Sequence, residues 1–325
     1  MKKINILVIT ETQHIKNVDS SLESIGKVNF QPKITIKDLK KIINKYEVIF
    51  TNPNKSKIYI GEEVLKYAKN LKVICTASTG TIHIDQKYTN KKNIAVISLK
   101  KQIKILKKIS STAELAFLMT LSQIRNLIPA YKSVLNYEWD YTNFIGDQIN
   151  SLTIGVIGFG RLGKIYCDYC LAFKAKVLVY DPFKKIRNLK IKQEDNLTNL
   201  LTKSDVISIH VHATDKNKKI FGQKFFNNLK KNVIIINTSR GELIDEDMLL
   251  KFLKNNPSSK YATDVLSNET ESKKNNKLIK ASKNNDRILI TPHIGGMTKI
   301  GQEISYNHAV KMLNVFLKSK KNEEN

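Results

Sequence analysis

Leu152-Thr153-Ile154-Gly155-Val156-Ile157-Gly158-Phe159-Gly160-Arg161-Leu162-Gly163 decides the fold of this chain. A short apolar run of strand length leads into glycines spaced G-x-G-x-x-G, and a helical pattern opens directly behind them. The chain holds 13 glycines, and four of them, Gly155, Gly158, Gly160 and Gly163, fall in this stretch. Gly158 permits the tight turn from strand to helix. Gly160 lets the backbone approach a pyrophosphate, and Gly163 lets the helix lie close against the strand. The next strand, Val177-Leu178-Val179-Tyr180-Asp181, ends on an acid. A carboxylate there accepts hydrogen bonds from an adenosine ribose and repels a 2′-phosphate, so NAD is expected rather than NADP.

Working outward, strands predicted at Leu152–Gly158, Lys176–Tyr180, Val206–His210, Val233–Asn237, Tyr261–Val265 and Arg287–Ile290 alternate with helical patterns. The first hundred residues repeat that rhythm, with strands at Ile4–Ile9, Val48–Thr51, Lys72–Thr76 and Ile94–Ile97 and a helix over Glu62–Asn70. Such alternation is the mark of an α/β fold with parallel sheets. A long apolar helix over Ser110–Asn126 separates the two parts, with Ser110, Ser111 or Thr112 able to cap it, and Pro129 interrupts before a second helical stretch to about Tyr137. The last amphipathic stretch, Lys299–Leu317, has no strand partner in the second part. It is expected to pack back on the first part and make that domain discontinuous.

The composition excludes several classes. The chain has 325 residues, enough for about two domains, with 41% hydrophobic and 26% charged residues, as in an ordinary globular protein. No apolar run approaches the ~18 residues of a membrane helix. The opening Met1-Lys2-Lys3 and its apolar run read as a buried first strand of a cytoplasmic protein rather than a signal peptide. The formal charge is +26, but only five of the 55 basic residues are arginine and the lysines are scattered. Nucleic-acid surfaces cluster charge and favour arginine, so neither a nucleic acid nor a membrane is expected as a partner. Cys167 and Cys170 have C-x-x-C spacing without a second pair, which reads as buried core thiols in a reducing compartment. No metal site is expected; His210 and His212 lack a carboxylate or cysteine at ligand spacing.

Three side chains stand at successive strand ends: Arg240 in Asn237-Thr238-Ser239-Arg240-Gly241, Glu269 after Asp264-Val265, and His293 in Thr291-Pro292-His293-Ile294-Gly295-Gly296. Open α/β sheets bind ligands at those ends. An arginine fork holds a carboxylate or keto oxygen, a histidine exchanges a hydroxyl proton near neutral pH, and a glutamate beside it stabilises the imidazolium. With these stretches, and with Ser78-Thr79-Gly80-Thr81-Ile82-His83-Ile84-Asp85 and Ala113-Glu114 in the first part, the chain resembles the D-2-hydroxyacid dehydrogenases, specifically their phosphoglycerate-dehydrogenase-like branch.

The resemblance implies two doubly wound parallel-sheet domains, a Rossmann NAD-binding domain at 109–296 inserted in a flavodoxin-like substrate domain at 1–108 and 297–325. It implies hydride transfer between NAD and a small anionic 2-hydroxy or 2-keto acid, with a phosphorylated substrate such as 3-phosphoglycerate among those to consider. Arg240 binds the substrate, His293 acts as acid and base, and Glu269 holds the histidine. Arg161 and Leu162, with the glycines, meet the pyrophosphate; Asp181 meets the ribose; Thr238 and Asp264 line the nicotinamide side; Gly295 is a further cofactor-binding residue. Backbone amides at Ser78, Thr79 and Gly80 face the substrate carboxylate. A homodimer through the long helix and its neighbours is implied.

Departures from the family pattern are His212 where a proline is common, Thr270 after Glu269, and Lys55 in the loop Asn52-Pro53-Asn54-Lys55, where members place substrate-selecting groups. With 29 residues after Gly296 (325 − 296), no regulatory amino-acid-binding domain is expected. Two rivals remain: formate dehydrogenase, against which Glu269 argues because that relative uses glutamine, and an NAD(H)-sensing corepressor-like binding protein on the same fold.

Overall fold

The computed structural model describes residues 3–53, 58–269 and 273–324. They fall into two compact units, one running up to Ile109 and resuming at Met297, the other spanning Ser110–Gly296.

The first unit holds five strands: β1 (Asn5–Val8), β2 (Lys27–Phe30), β3 (Val48–Thr51), β4 (Val73–Thr76) and β5 (Ala95–Ile97). They form one parallel sheet in the order β2-β1-β3-β4-β5, with Leu7 opposite Ile49 and Ile49 opposite Ile74. The central strands are buried on both faces and therefore read as continuous apolar runs. The edge strand β2 escaped the sequence reading, since Lys27-Val28-Asn29-Phe30 is short and only half-buried. The helix expected over Glu62–Asn70 is α-helical over Glu62–Leu65. Beyond it, Tyr67 and Ala68 donate to the carbonyls three residues back, which tightens the chain and sends Leu65, Ala68 and Leu71 into one cluster.

The terminal helix, Lys299–Glu324, belongs to this unit. It packs against the helix Val18–Ile25 and against β4 and β5. Tyr306, Ala309, Val310 and Leu313 lie in the same core as Ile6, Phe50 and Val73. The Tyr306 ring stands 6.0 Å from that of Phe50.

His83 is a buried polar residue of this unit. It is 2% exposed, and neither ring nitrogen finds a hydrogen-bond partner among the described residues. Burial lowers its pKa to about 4 from the ordinary 6.5. Between those values the unfolded chain takes up a proton that the folded one refuses, so stability falls as pH drops through the window. A gap of that width corresponds to about 3 kcal/mol by pH 4. His83→Leu is expected to fold at neutral pH without loss and to lose stability less steeply below pH 6.5. Urea titrations of both proteins from about pH 7.5 to 4.5 check this; parallel declines refute it.

The second unit holds β6 (Thr153–Ile157), β7 (Lys176–Tyr180), β8 (Ile191–Gln193), β9 (Val206–Ile209), β10 (Ile234–Asn237), β11 (Lys260–Thr263) and β12 (Ile288–Ile290). All are parallel, in the order β12-β11-β10-β9-β6-β7-β8. The chain reverses direction across the sheet between β6 and β9, which opens a crevice at their carboxyl ends. Two apolar clusters cover the sheet faces, one including Ile207, Phe225 and Leu249, the other Ile154, Tyr166 and Ile236. Cys167 and Cys170 are buried in the second cluster, where burial pushes the Cys170 thiol up to about 12. β8, a three-residue edge strand, was not predicted. Arg287, one of the five arginines, is structural. Its Nη1 donates to the carbonyls of Leu253, Asn256 and Ser259 and closes the end of the helix Glu246–Asn255. Among the described residues no helix is long and apolar enough to cross a membrane.

Candidate active site

The glycine-rich turn has the geometry its spacing predicts. Gly158 adopts φ +93°, and a Cβ there would stand 2.5 Å from the His210 carbonyl oxygen. A Cβ on Gly163 would stand 2.1 Å from the Gly158 oxygen, so the helix Arg161–Ala172 crosses the strand at backbone distance. At Gly160 a Cβ would meet nothing within 4 Å. The helix begins there without a side-chain cap, which leaves an open face before a helix N-terminus. Leu162 packs with the core cluster beneath, and burial lowers the pKa of Arg161. His210 supports the turn from below, its ring 5.1 Å from Tyr166 and Nε2 2.8 Å from the Ser208 hydroxyl.

Asp181 faces this turn. Its Oδ2 accepts from the Phe159 N–H at 2.7 Å and its Oδ1 from the Phe183 N–H at 2.9 Å. Each oxygen keeps a lone pair for a ribose hydroxyl. Lys184 reaches across to the Phe159 carbonyl at 3.0 Å.

His293, Glu269 and Arg240 come together at the ends of β10, β11 and β12. His293 Nδ1 lies 2.6 Å from Glu269 Oε2, each side chain 23% exposed. Glu269 Oε1 accepts from the Leu266 N–H. Burial pushes the Glu269 carboxyl up, but the bond and charge of His293, the Leu266 N–H and the Arg240 charge outweigh it and hold the carboxyl below its ordinary value. Glu269 therefore stays ionised beside the imidazole at neutral pH. The influence of Arg240 follows from a backbone contact: a Cβ on Gly241 would lie 2.0 Å from the Leu266 carbonyl carbon. Only glycine lets the arginine turn press against the turn that leads to the glutamate. Arg240 Nη1 donates to the Ser239 carbonyl, and Ser239 Oγ anchors that turn on the Ile209 carbonyl.

Asp264 is 1% exposed and accepts from Thr291 Oγ1, the Ile294 N–H and the Gly295 N–H. Burial pushes its carboxyl up despite those donors. Gly295, expected at the cofactor, has its N–H on Asp264 and its carbonyl on Thr112 Oγ1, so its backbone polar groups are engaged within the unit. Thr238 Oγ1 is buried without a partner among the described residues. In the first unit, Ser78 Oγ donates to the Gly80 carbonyl at 2.6 Å, and among the described residues the N–H groups of Ser78, Thr79 and Gly80 have no partner. Lys55 and Thr270 lie outside the described residues. Thr291, Gly241 and Glu246, which accepts from the Ser267 N–H, were not singled out in the sequence. Thr291 could have been found by its place two residues before His293.

Residues 117–295 match the family model for "D-isomer specific 2-hydroxyacid dehydrogenase, NAD binding domain". The chain belongs to the D-isomer specific 2-hydroxyacid dehydrogenases. It is 31% identical over 300 residues to the D-3-phosphoglycerate dehydrogenase of Methanocaldococcus jannaschii, covering 91% of this chain and 54% of that one. It is 30% identical to the hydroxypyruvate reductase of Thermotoga maritima, covering 82% and 83%. The solved D-lactate dehydrogenase from Aquifex aeolicus, complexed with NAD and lactic acid, has TM-score 0.80 and 29% identity, over 98% of this chain and 96% of that one. The chain spans about half the length of the D-3-phosphoglycerate dehydrogenases of M. jannaschii and Archaeoglobus fulgidus.

NAD is the cofactor of this D-2-hydroxyacid dehydrogenase unit. The residues fit it: the open face at Gly160, the uncapped helix and the acid of Asp181 are features of a dinucleotide site, and the Thr238 hydroxyl is buried without a partner among the described residues. Among the described residues no group of three or more His, Cys, Asp or Glu is placed to hold a metal.

Proposed function

We propose that the chain is an NAD-dependent dehydrogenase acting on the CH–OH group of donors, interconverting a D-2-hydroxy acid and its 2-keto acid. The observation that carries this reading is the 2.6 Å pair of His293 and Glu269 with Arg240 beside the glutamate. NAD, when bound, supplies or accepts the hydride. With Nδ1 committed to Glu269, His293 gives or takes the proton of the substrate's C2 oxygen through Nε2. Glu269 stabilises the imidazolium while the proton is held. Arg240 neutralises the carboxylate and polarises the keto oxygen. Arg161, Leu162 and the glycines hold the pyrophosphate and Asp181 the ribose.

The test is NADH oxidation with 3-phosphohydroxypyruvate, hydroxypyruvate, glyoxylate, pyruvate and a branched-chain keto acid, with NADPH as control. Turnover of at least one acid with NADH, and poor turnover with NADPH, is expected. Bound NADH with no turnover on any acid overturns the reading in favour of a sensing protein.

A homodimer is part of the same proposal. Leu127, Tyr131, Val134, Leu135, Trp139 and Tyr141 are all exposed within one stretch, Trp139 at 91%. So much adjoining apolar surface favours burial against a second copy. Sedimentation equilibrium is expected to give twice the 37.1 kDa chain mass; a monomer at micromolar concentration refutes it.

A further inference from the structure

Two features that hold His293 are visible among the described residues. One is the side-chain bond to Glu269. The other is the backbone, and its geometry is unusual: His293 has φ +57°, in the left-handed region that a residue with a side chain adopts at a cost. Such a conformation persists only when its surroundings over-determine it.

Among the described residues, a buried carboxylate ties down both flanks of this turn. Asp264 receives donors from both flanks of His293. On one side Thr291 Oγ1 donates to Oδ1 at 2.5 Å. On the other side Ile294 N–H donates to Oδ1 at 2.8 Å and Gly295 N–H to Oδ2 at 2.7 Å. The bracket is anchored outside the turn as well. Thr291 N–H donates to the Thr263 carbonyl at the end of β11, Asp264 N–H to the Asn237 carbonyl at the end of β10, and Thr112 Oγ1 to the Gly295 carbonyl. Within the bracket, His293 N–H closes back on the Thr291 carbonyl at 3.0 Å.

We propose that Thr291 is a positioning residue for His293, acting through Asp264: its hydroxyl completes the bracket that holds the histidine backbone in its left-handed turn. This rests on the reading of His293 as the proton-transfer group. The Thr291 hydroxyl donates to a carboxylate that already takes two N–H donors from the far flank, so the three bonds act on one pair of oxygens. Losing the hydroxyl leaves Asp264 held from one side, and the turn relaxes away from φ +57°. Because an ångström of misplacement costs about 10²-fold in rate, the effect reaches the reacting nitrogen without any contact between Thr291 and substrate.

Thr291→Val keeps the β-branched shape and removes the donor. Thr291→Ser keeps the donor and removes a methyl group. On the keto acid that the wild-type enzyme reduces, Thr291→Val is expected to lower kcat about 10- to 100-fold, with KM for NADH changed less than about two-fold. Thr291→Ser is expected to stay within about three-fold of wild type. Amide hydrogen exchange, read without substrate, is the second measurement: the Ile294 and Gly295 amides should exchange slowly in wild type and Thr291→Ser, and at least about ten-fold faster in Thr291→Val. Unchanged exchange in Thr291→Val overturns the bracket whether or not a substrate is known. Faster exchange with unchanged kcat overturns the positioning role while leaving the dehydrogenase reading intact. Absence of turnover in wild type with the expected exchange pattern overturns the dehydrogenase reading and leaves the bracket standing.

Discussion

His293→Ala is expected to lower kcat for keto-acid reduction by about 10³-fold, within the 10² to 10⁴ that a positioned general acid contributes. The reasoning starts from the 2.6 Å bond between Nδ1 and Glu269. That bond fixes the ring plane, and the proposed mechanism assigns proton transfer to Nε2. Glu269 stays ionised at neutral pH, because its carboxyl is held below its ordinary value. Alanine removes the proton carrier and strands the glutamate beside the substrate's developing negative charge. NADH affinity is expected to change little, since the glycine turn and Asp181 belong to β6 and β7, not to β12. Single-turnover absorbance of NADH and NADH fluorescence titration separate the two quantities. A variant that keeps more than about a tenth of wild-type kcat would remove His293 from the chemistry.

Arg240→Lys is the second large effect, about 10² to 10³-fold in kcat/KM, comparable to losing one donor from an oxyanion-binding site. Charge is conserved, so the loss measures geometry. A guanidinium offers five N–H donors in a rigid plane, while an ammonium is a point charge on a flexible stem. One donor of Arg240, Nη1, is already tied to the Ser239 carbonyl, and this orients the remaining fork. Lysine cannot hold that tether and meet a carboxylate and keto oxygen together. KM for the keto acid is expected to rise and kcat to fall, with NADH binding retained. A change confined to KM would assign Arg240 to binding alone. Retention of full activity would sink its role.

Much of the candidate site was legible in the chain because each side chain proposed for the chemistry follows an apolar strand in a short, distinctive setting. The glycines before Arg161, the Arg240-Gly241 turn and the Pro292-His293 pair all sit where a strand stops. The strand ends differ from the reading by a residue or so, since a buried apolar run does not mark its last hydrogen bond. The small edge strands β2 and β8 were invisible because neither is buried on both faces nor long enough to alternate. Gly241 and Thr291 were overlooked for another reason. Their importance is a contact with residues 266 and 264, which no local pattern announces. Gly295 combines both kinds of signal: its motif suggests a place at the cofactor, and its N–H and carbonyl also meet Asp264 and Thr112.

The terminal helix has a consequence for synthesis. Tyr306, Ala309 and Leu313 complete the core that surrounds Ile6, Phe50 and Val73. During translation those first strands emerge with one wall of their core still unmade. The 187 residues of the second unit (296 − 110 + 1) must be polymerised before that wall exists. At about 5 to 20 residues per second this delay is roughly 10–40 s. The later-made unit is contiguous and can fold in that interval, while the first-made sheet waits with apolar surface exposed. The sheet of the first unit is therefore made first and gains the last wall of its core only after the second unit has been made.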